Sequence, residues 1–348
     1  MARVPIHLMR SEILATVIRG DTIESVHRGH LIVIDGERRV LASVGDPETV
    51  TFFRSAAKPF QALPFITTSA ADTFGYTEEE VALACASHSG EPVHVELAAK
   101  MLERAGFTEA DLRCGAHLPF NEAEAERMLR ASETPTQLHN NCSGKHAAML
   151  ALAKHVGADP KCYESPENPV QRMILDTVSL FAEFPREEIK IGTDGCAAPN
   201  FAIPVSAMAR SFLNLIAPPK TFDEKTSDAC RRIVSAMLNN PDLVGGTDRL
   251  DTTLMKTAPG KLISKIGAEG VWLCGVVPCK EHATGFSVAL KIEDGDDKRA
   301  RAVVSVDVLQ QLGILSNGNL PELSPIPIKN RRGGVVGKIE ATFELRHS

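Results

Sequence analysis

Period-two apolar alternation is confined to the two ends of this chain, and helical periodicity fills the span between them. That split constrains the fold strongly. A strand turns alternate side chains to opposite faces, whereas a helix returns to the same face every three to four residues. Near the N-terminus, ILATVIRG (13–20) precedes HLIVIDGERRVLASVG (30–45), apolar runs disposed about Asp35-Gly36, which signals a hairpin. Near the other end GVWLCGVV (270–277), GFSVALKIEDGDD (285–297) and VVGKIEATFEL (335–345) read as strands. RAVVSVDVLQQLGIL (301–315) reads as a helix and the overlapping KNRRGGVVGK (329–338) as a surface turn.

From Pro59 to about residue 185 the spacing is helical. HVELAAKMLERAG, NEAEAERMLRAS, GKHAAMLALAKHVGA and NPVQRMILDTVSLFAEF each repeat apolar residues at three and four, and TFDEKTSDACRRIVSAMLNN follows. IKIGTDG (189–195) is a short strand entering a turn. The expected class is α/β (α+β): an antiparallel sheet from both chain ends, covered by helices, with a mostly helical lobe inserted. The chain is expected to form one two-lobed catalytic unit over 1–348. Its sheet lobe would take about 1–58 and 262–348, and its helical lobe about 59–261.

Composition excludes several functions. Lys and Arg are scattered, the net charge is -6, and aromatics make up 5%, so neither a basic footprint nor a stacking surface for nucleic acid is present. No run of 18 apolar residues offers a membrane span, and MARVPIHLMRSEILATVIRG lacks the apolar core of a secretory signal. Eight cysteines in such a chain read as reduced thiols in the cytoplasm. Cys85, Cys114, Cys162 and Cys230 are expected in the core, as are Cys274 and Cys279 despite the neighbouring His282.

Within FRSAAKPFQALP, Ser55 lies three residues before Lys58. With 21 serines and 16 lysines in 348 residues, about one such spacing arises by chance, so the pair alone means little. Its context adds weight. Pro59 favours a helix beginning there with Lys58 as its flank, and the small apolar neighbours would lower a lysine pKa. In serine enzymes of the β-lactamase type a Ser-x-x-Lys is completed by a late Lys-Thr-Gly. Here Lys265-Ile266-Gly267 stands just before a strand, and Ser87 in CASHSGEP takes the middle place, although Ser-Asp-Asn is absent. Two coupled pairs are expected, Ser55 with Lys58 and Ser87 with Lys265, meeting in one cleft.

HNNCSGKHAAML (139–150) and IGTDGCAAPNFAIP (191–204) bring Cys142, Lys145, His146 and Cys196 beside glycines. Thiolates are strong zinc ligands, and two require a third donor; spacing alone nominates His146.

The four motifs FRSAAKPFQALP, ASHSGE, HNNCSGKHAAML and GTDGCAAPNFAIP, in this order, resemble the bacterial L-asparaginase family typified by the inducible, thermolabile rhizobial enzyme. The resemblance covers roughly residues 8–345. It implies a fold similar to serine β-lactamases and glutaminases, a homodimer, and hydrolysis of L-asparagine to L-aspartate and ammonia. Ser55 would be the nucleophile with Lys58 its base, and Ser87 with Lys265 the second pair, Lys261 lying four residues from the latter. Zn2+ would be held by Cys142, Cys196 and Lys145, displacing His146 from that role. Arg54, Asp194 and His146 would lie near the substrate, Arg54 taking its α-carboxylate and Asp194 its α-ammonium.

Two rival readings differ in chemistry. A related serine amidohydrolase would act on glutamine or a β-lactam, and the missing Ser-Asp-Asn counts against lactams. A zinc-dependent amino-acid-binding protein would bind asparagine without releasing ammonia, and would have no need of Ser55 with Lys58.

Overall fold

The structure is a computed structural model that describes residues 10–345. The reading of the first residues as a non-signal segment therefore lies largely outside the described residues. Eleven strands form two antiparallel sheets. They are β1 (Glu12–Arg19), β2 (Thr22–Asp35), β3 (Val40–Val44), β4 (Val50–Phe52), β5 (Lys190–Thr193), β6 (Pro199–Pro204), β7 (Leu262–Ile266), β8 (Val271–Val276), β9 (Phe286–Ile292), β10 (Ile326–Lys329) and β11 (Val335–Ala341). The large sheet runs β10-β11-β1-β2-β9-β8-β7, with β3 also paired to β2. Both chain ends build it, as expected. The hairpin at Asp35-Gly36 is present, with Leu31 opposite Val44 and Val33 opposite Ala42.

Burial explains why the central strands are nearly all apolar. Every residue of β7 and β8 is buried, so these strands face packed layers on both sides and lose the alternation that marks a half-solvated strand. The helix Val205–Ile216 covers β9, β2 and β8, and Ser287 Oγ donates to Ala209 O at 2.7 Å across that contact. A contiguous core runs from this layer into the helices Lys58–Thr67, Ser143–Val156 and Pro169–Ala182.

Some strands escape the sequence reading and two expectations change. Lys265-Ile266-Gly267 does precede a strand, β8, but Lys265 itself lies in a further strand, β7, paired with Leu273 of β8. The segment PNFAIP, beyond that turn and not foreseen as a strand, is β6, the centre of the small sheet β4-β6-β5; its six residues are all buried and its end prolines hide the pattern. KNRRGGVVGK divides: Asn330–Gly334 make the turn, but Val335 onward is β11. Cys162 is exposed rather than core, because it ends a short turn after Asp159-Pro160 on the surface.

Candidate active site

The cluster forms where the N-terminus of the first long helix meets β7. A 3-10 turn, Arg54–Ala57, leads into the helix Lys58–Thr67, so the helix begins at Lys58 itself with Pro59 in its first turn. Arg54 enters that turn in the left-handed region (φ 54°), held by the bond from its N–H to Asn200 Oδ1 at 3.0 Å. A non-glycine residue held there stores strain of about 1–3 kcal/mol, a cost that recurs at functional sites.

Lys58 is 1% exposed, and its Nζ lies 2.6 Å from Ala86 O, 3.1 Å from Asn141 O and 3.0 Å from Ser87 Oγ. Lys265 is fully buried, and its Nζ lies 2.9 Å from the same Ser87 Oγ, 3.3 Å from Asp251 Oδ2 and 3.2 Å from Ile266 O. Ser87 is therefore shared by both lysines. Lys261 is exposed and distant from this chemistry. The direct Ser55–Lys58 contact expected from spacing is not made: Ser55 is half-buried, and its hydroxyl has no hydrogen-bond partner among the described residues. Lys58 turns instead toward two carbonyls and Ser87, which together satisfy all three donor directions of its nitrogen.

Proton counting constrains this cluster. Carbonyl oxygens only accept, so each amine uses two N–H bonds on its fixed acceptors and meets Ser87 with its third position. Ser87 has one proton. When it donates to one amine, the other must donate to it, so the bridge suits one neutral and one charged amine. Burial lowers Lys265 to about 8, with the charges of Lys58 and Arg249 acting the same way and Asp251 opposing.

Asp251, absent from the sequence expectations, organises this end. It is fully buried, accepts from Ser264 Oγ at 2.8 Å and from Ile266 N at 3.0 Å, and faces Lys265. Trp272 Nε1 donates to Ser264 Oγ at 2.8 Å, locking the arrangement. In TDRLDTTLMK nothing marked Asp251 apart from an ordinary acid early in a helix. His88, also unforeseen, accepts from Gly90 N at Nδ1, so Nε2 carries the proton and donates to Ser143 Oγ at 2.9 Å.

The second cluster joins the helix Ser143–Val156 to the β5–β6 turn. Cys142 and Cys196 are each 4% exposed, and Lys145 Nζ donates to Cys196 Sγ at 3.1 Å. The Cys142 thiol, then the Lys145 charge, hold Cys196 far below the ordinary thiol range against burial. Cys142 moves the opposite way, raised by its bond to Cys196 and by burial. Burial opposes charge on Lys145, but the Cys196 thiolate more than restores it and raises the amine. Tyr163 accepts from Arg113 N at 2.9 Å and donates to His146 Nδ1 at 2.6 Å, which leaves the proton on Nε2. That nitrogen is buried without a partner and offers no lone pair to a metal in this tautomer. Among the described residues no group of three His, Cys, Asp or Glu is placed to hold a metal. The Lys145 amine and the Cys142 thiol both meet the Cys196 sulfur, and two sulfurs with an amine nitrogen would be a donor set that suits zinc.

Arg54 and Asp194 pair with each other. Arg54 Nε lies 3.2 Å and Nη2 3.1 Å from Asp194 Oδ1, and Gly195 N donates to that oxygen at 2.9 Å. Arg54 Nη1 faces Glu269 at 3.8 Å. All three bonds fall on Oδ1, so Oδ2 remains open, whereas Arg54 commits Nε and Nη2 to that one oxygen. Among the described residues, no helix is long and apolar enough to cross a membrane.

Comparison with known proteins bears on this arrangement. No curated protein matches the chain. Among solved structures, Mglu in its native form is similar at 15% identity over 84% of this chain and 66% of that chain, with a TM-score of 0.48. This chain thus spans less than two thirds of Mglu. The covalent complex of the Bacillus subtilis glutaminase YbgJ with 5-oxo-L-norleucine is similar at 11% identity over 83% of this chain and 89% of that chain, with a TM-score of 0.41. The sequence profile of the L-asparaginase II family matches residues 15–341, a span that takes in both serine–lysine segments and both cysteine motifs, and the chain belongs to that family.

Proposed function

We propose that this protein hydrolyses the side-chain amide of L-asparagine to L-aspartate and ammonia through a serine ester. The observation that carries the reading is the meeting of two buried amines on one serine hydroxyl, Lys58 and Lys265 on Ser87 Oγ. Such a cluster has one use that a binding protein lacks: it takes up and returns a proton inside a dry site.

Ser55 is the attacking group. It is half-buried and approachable, on the strained turn just before Lys58, whereas Ser87 is 3% exposed and occupied by two amines. Substrate closing on the turn brings the Ser55 hydroxyl to the Lys58 amine in place of one of its carbonyl contacts, a contact that often tightens only in the complex. Ser55 Oγ bonds to the amide carbon, its proton passes to Lys58, and Lys58 hands that proton to the leaving nitrogen as the C–N bond breaks and ammonia departs. Water then adds to the ester carbon and the C–Oγ bond breaks, returning the proton to Ser55. Reversing both bonds at Ser87 moves a proton between Lys58 and Lys265 without displacing any heavy atom. Proton transfer of this kind contributes about 10²–10⁴-fold.

The open Oδ2 of Asp194 takes the α-ammonium, with Arg54 holding the Asp194 carboxylate itself in place. Cys142, Cys196 and Lys145 would hold zinc, with Lys145 giving up its proton. Bound there, the ion supplies fixed positive charge beside the site.

The test is twofold. Purified protein is assayed for ammonia from L-asparagine and L-glutamine, with asparagine the better substrate. It is then treated with a diazoketone analogue of asparagine, and the labelled peptide is mapped. Label on Ser55 supports the assignment; label on Ser87 exchanges the two serines; no ammonia and no label removes the enzymatic reading.

A further inference from the structure

Arg249 is the last residue before the helix Leu250–Thr257, two positions ahead of the Asp251 that faces Lys265. Its guanidinium differs from the other arginines near the site. Arg54 is paired with Asp194, and Arg301 Nη1 donates to Gly267 O at 2.6 Å and to Asp297. The Arg249 side chain makes no hydrogen bond or ion pair among the described residues, and its Nε is buried without a partner. The Phe120 ring lies beside it, its centroid 5.2 Å from the guanidinium carbon.

A buried donor left unpaired costs about 1–3 kcal/mol, more when it is charged, and a ring face returns about 0.5–2 kcal/mol. The two carboxylates whose charge reaches it, Asp251 and Asp297, are engaged elsewhere. Asp251 is bonded by Ser264, Ile266 N and Lys265, and Asp297 by Arg301 and Gly270 N. Arg249, Arg301 and the charged member of the Lys58–Lys265 pair thus stand against two committed acids, an excess of positive charge that an incoming anion relieves.

The position is at the site. Val244 O, five residues earlier, accepts from Ser87 N at 3.0 Å, and a Cβ on Gly246 would stand 1.8 Å from Ser89 Oγ, so this turn lies flat on the Ser87 loop. Phe120 stacks on His117, whose Nε2 accepts from Asn141 N at 3.1 Å, and Asn141 O accepts from Lys58. Arg249 and Phe120 therefore flank the segments that carry Ser87 and Asn141, and the charge of Arg249 reaches Lys265.

We propose that Arg249, rather than Arg54, binds the α-carboxylate of the substrate and so confers selectivity for amino-acid amides over simple amides. This rests on the amide-hydrolase reading of the same site. Stacking on Phe120 fixes the guanidinium plane and leaves N–H bonds of the fork directed along its edge, the geometry that a carboxylate meets with two parallel hydrogen bonds.

The experiment compares wild type, Arg249→Gln and Arg249→Lys on L-asparagine and on 3-aminopropanamide, which keeps the ammonium and the amide but lacks the α-carboxylate. For asparagine, Arg249→Gln should lower kcat/KM about 100-fold, mainly through KM, as expected for a lost charged hydrogen bond; Arg249→Lys should recover part of it. For 3-aminopropanamide the three proteins should be alike. Product inhibition gives the same contrast without turnover: L-aspartate should weaken in Arg249→Gln, while β-alanine should not. An equal loss on both compounds, or no loss on either, would overturn the proposal while leaving the hydrolase reading intact. Wild type inactive on asparagine would instead strike the reading on which it rests.

Discussion

Lys58 and Lys265, 207 positions apart in sequence, converge on one oxygen, Ser87 Oγ, at 3.0 and 2.9 Å. Neither lysine bonds the Ser55 hydroxyl. The two serines therefore have separable duties, one exposed to substrate and one confined between amines.

Replacing each serine tests that division. Ser55→Ala should abolish ester formation and reduce ammonia release below about a hundredth of wild type. Ser87→Ala should reduce it by about 10²–10⁴-fold, the range for lost proton transfer, while the diazoketone label on Ser55 persists at a slower rate. Labelling lost in Ser87→Ala but retained in Ser55→Ala would reverse the roles.

The rate should depend on pH through Lys265. Burial holds this amine near 8, below its ordinary 10.5, so kcat/KM should rise with pH through about 8 as the amine loses its proton, then level off. Asp251→Asn removes the charge that favours the protonated form. Lys265 should then fall further and the rising limb should move to lower pH. A midpoint that stays in place in Asp251→Asn would disconnect Lys265 from the rate.

Metal content addresses the second cluster. Protein purified without chelator should carry close to one zinc per chain, and Cys142→Ala or Cys196→Ala should lower occupancy, read by elemental analysis. His146→Ala should retain the metal, because its Nε2 carries a proton in the arrangement with Tyr163. Equal metal in all three variants would exclude this site.

Gly246 offers a test of the scaffold. Its φ of 104° is a left-handed-side conformation, and an added methyl would meet Ser89 Oγ at 1.8 Å. Gly246→Ala should cost about 1–3 kcal/mol in urea unfolding and should also slow turnover, because the Ser87 loop must shift to admit it. Stability equal to wild type would mean the loop has room that the structure does not show.

Much of the fold was legible because its signals are local. Alternation marked the end strands, and three-four spacing marked helices such as Pro169–Ala182. What escaped had lost its signal to burial or proline: β6 is six buried residues with a proline at each end, and β10 is interrupted by Pro327. In the site, motif spacing named Ser87 and Lys265, which do meet. It could not show that Lys58 would face Ser87 instead of Ser55, since that choice is made by the carbonyls of Ala86 and Asn141. Asp251 was invisible for a related reason: an acid becomes distinctive only when three donors from a distant strand close on it.

The placement of β1 between β11 and β2 has a consequence for how such a molecule comes alive. The helical span can organise through neighbours close along the polypeptide, but β1 is flanked on one side by a partner more than three hundred positions downstream. Completion of the large sheet thus needs the last strands of the chain. Fragments ending before Lys265 should be inert instead of feeble, and activity should appear abruptly, together with completion of the sheet.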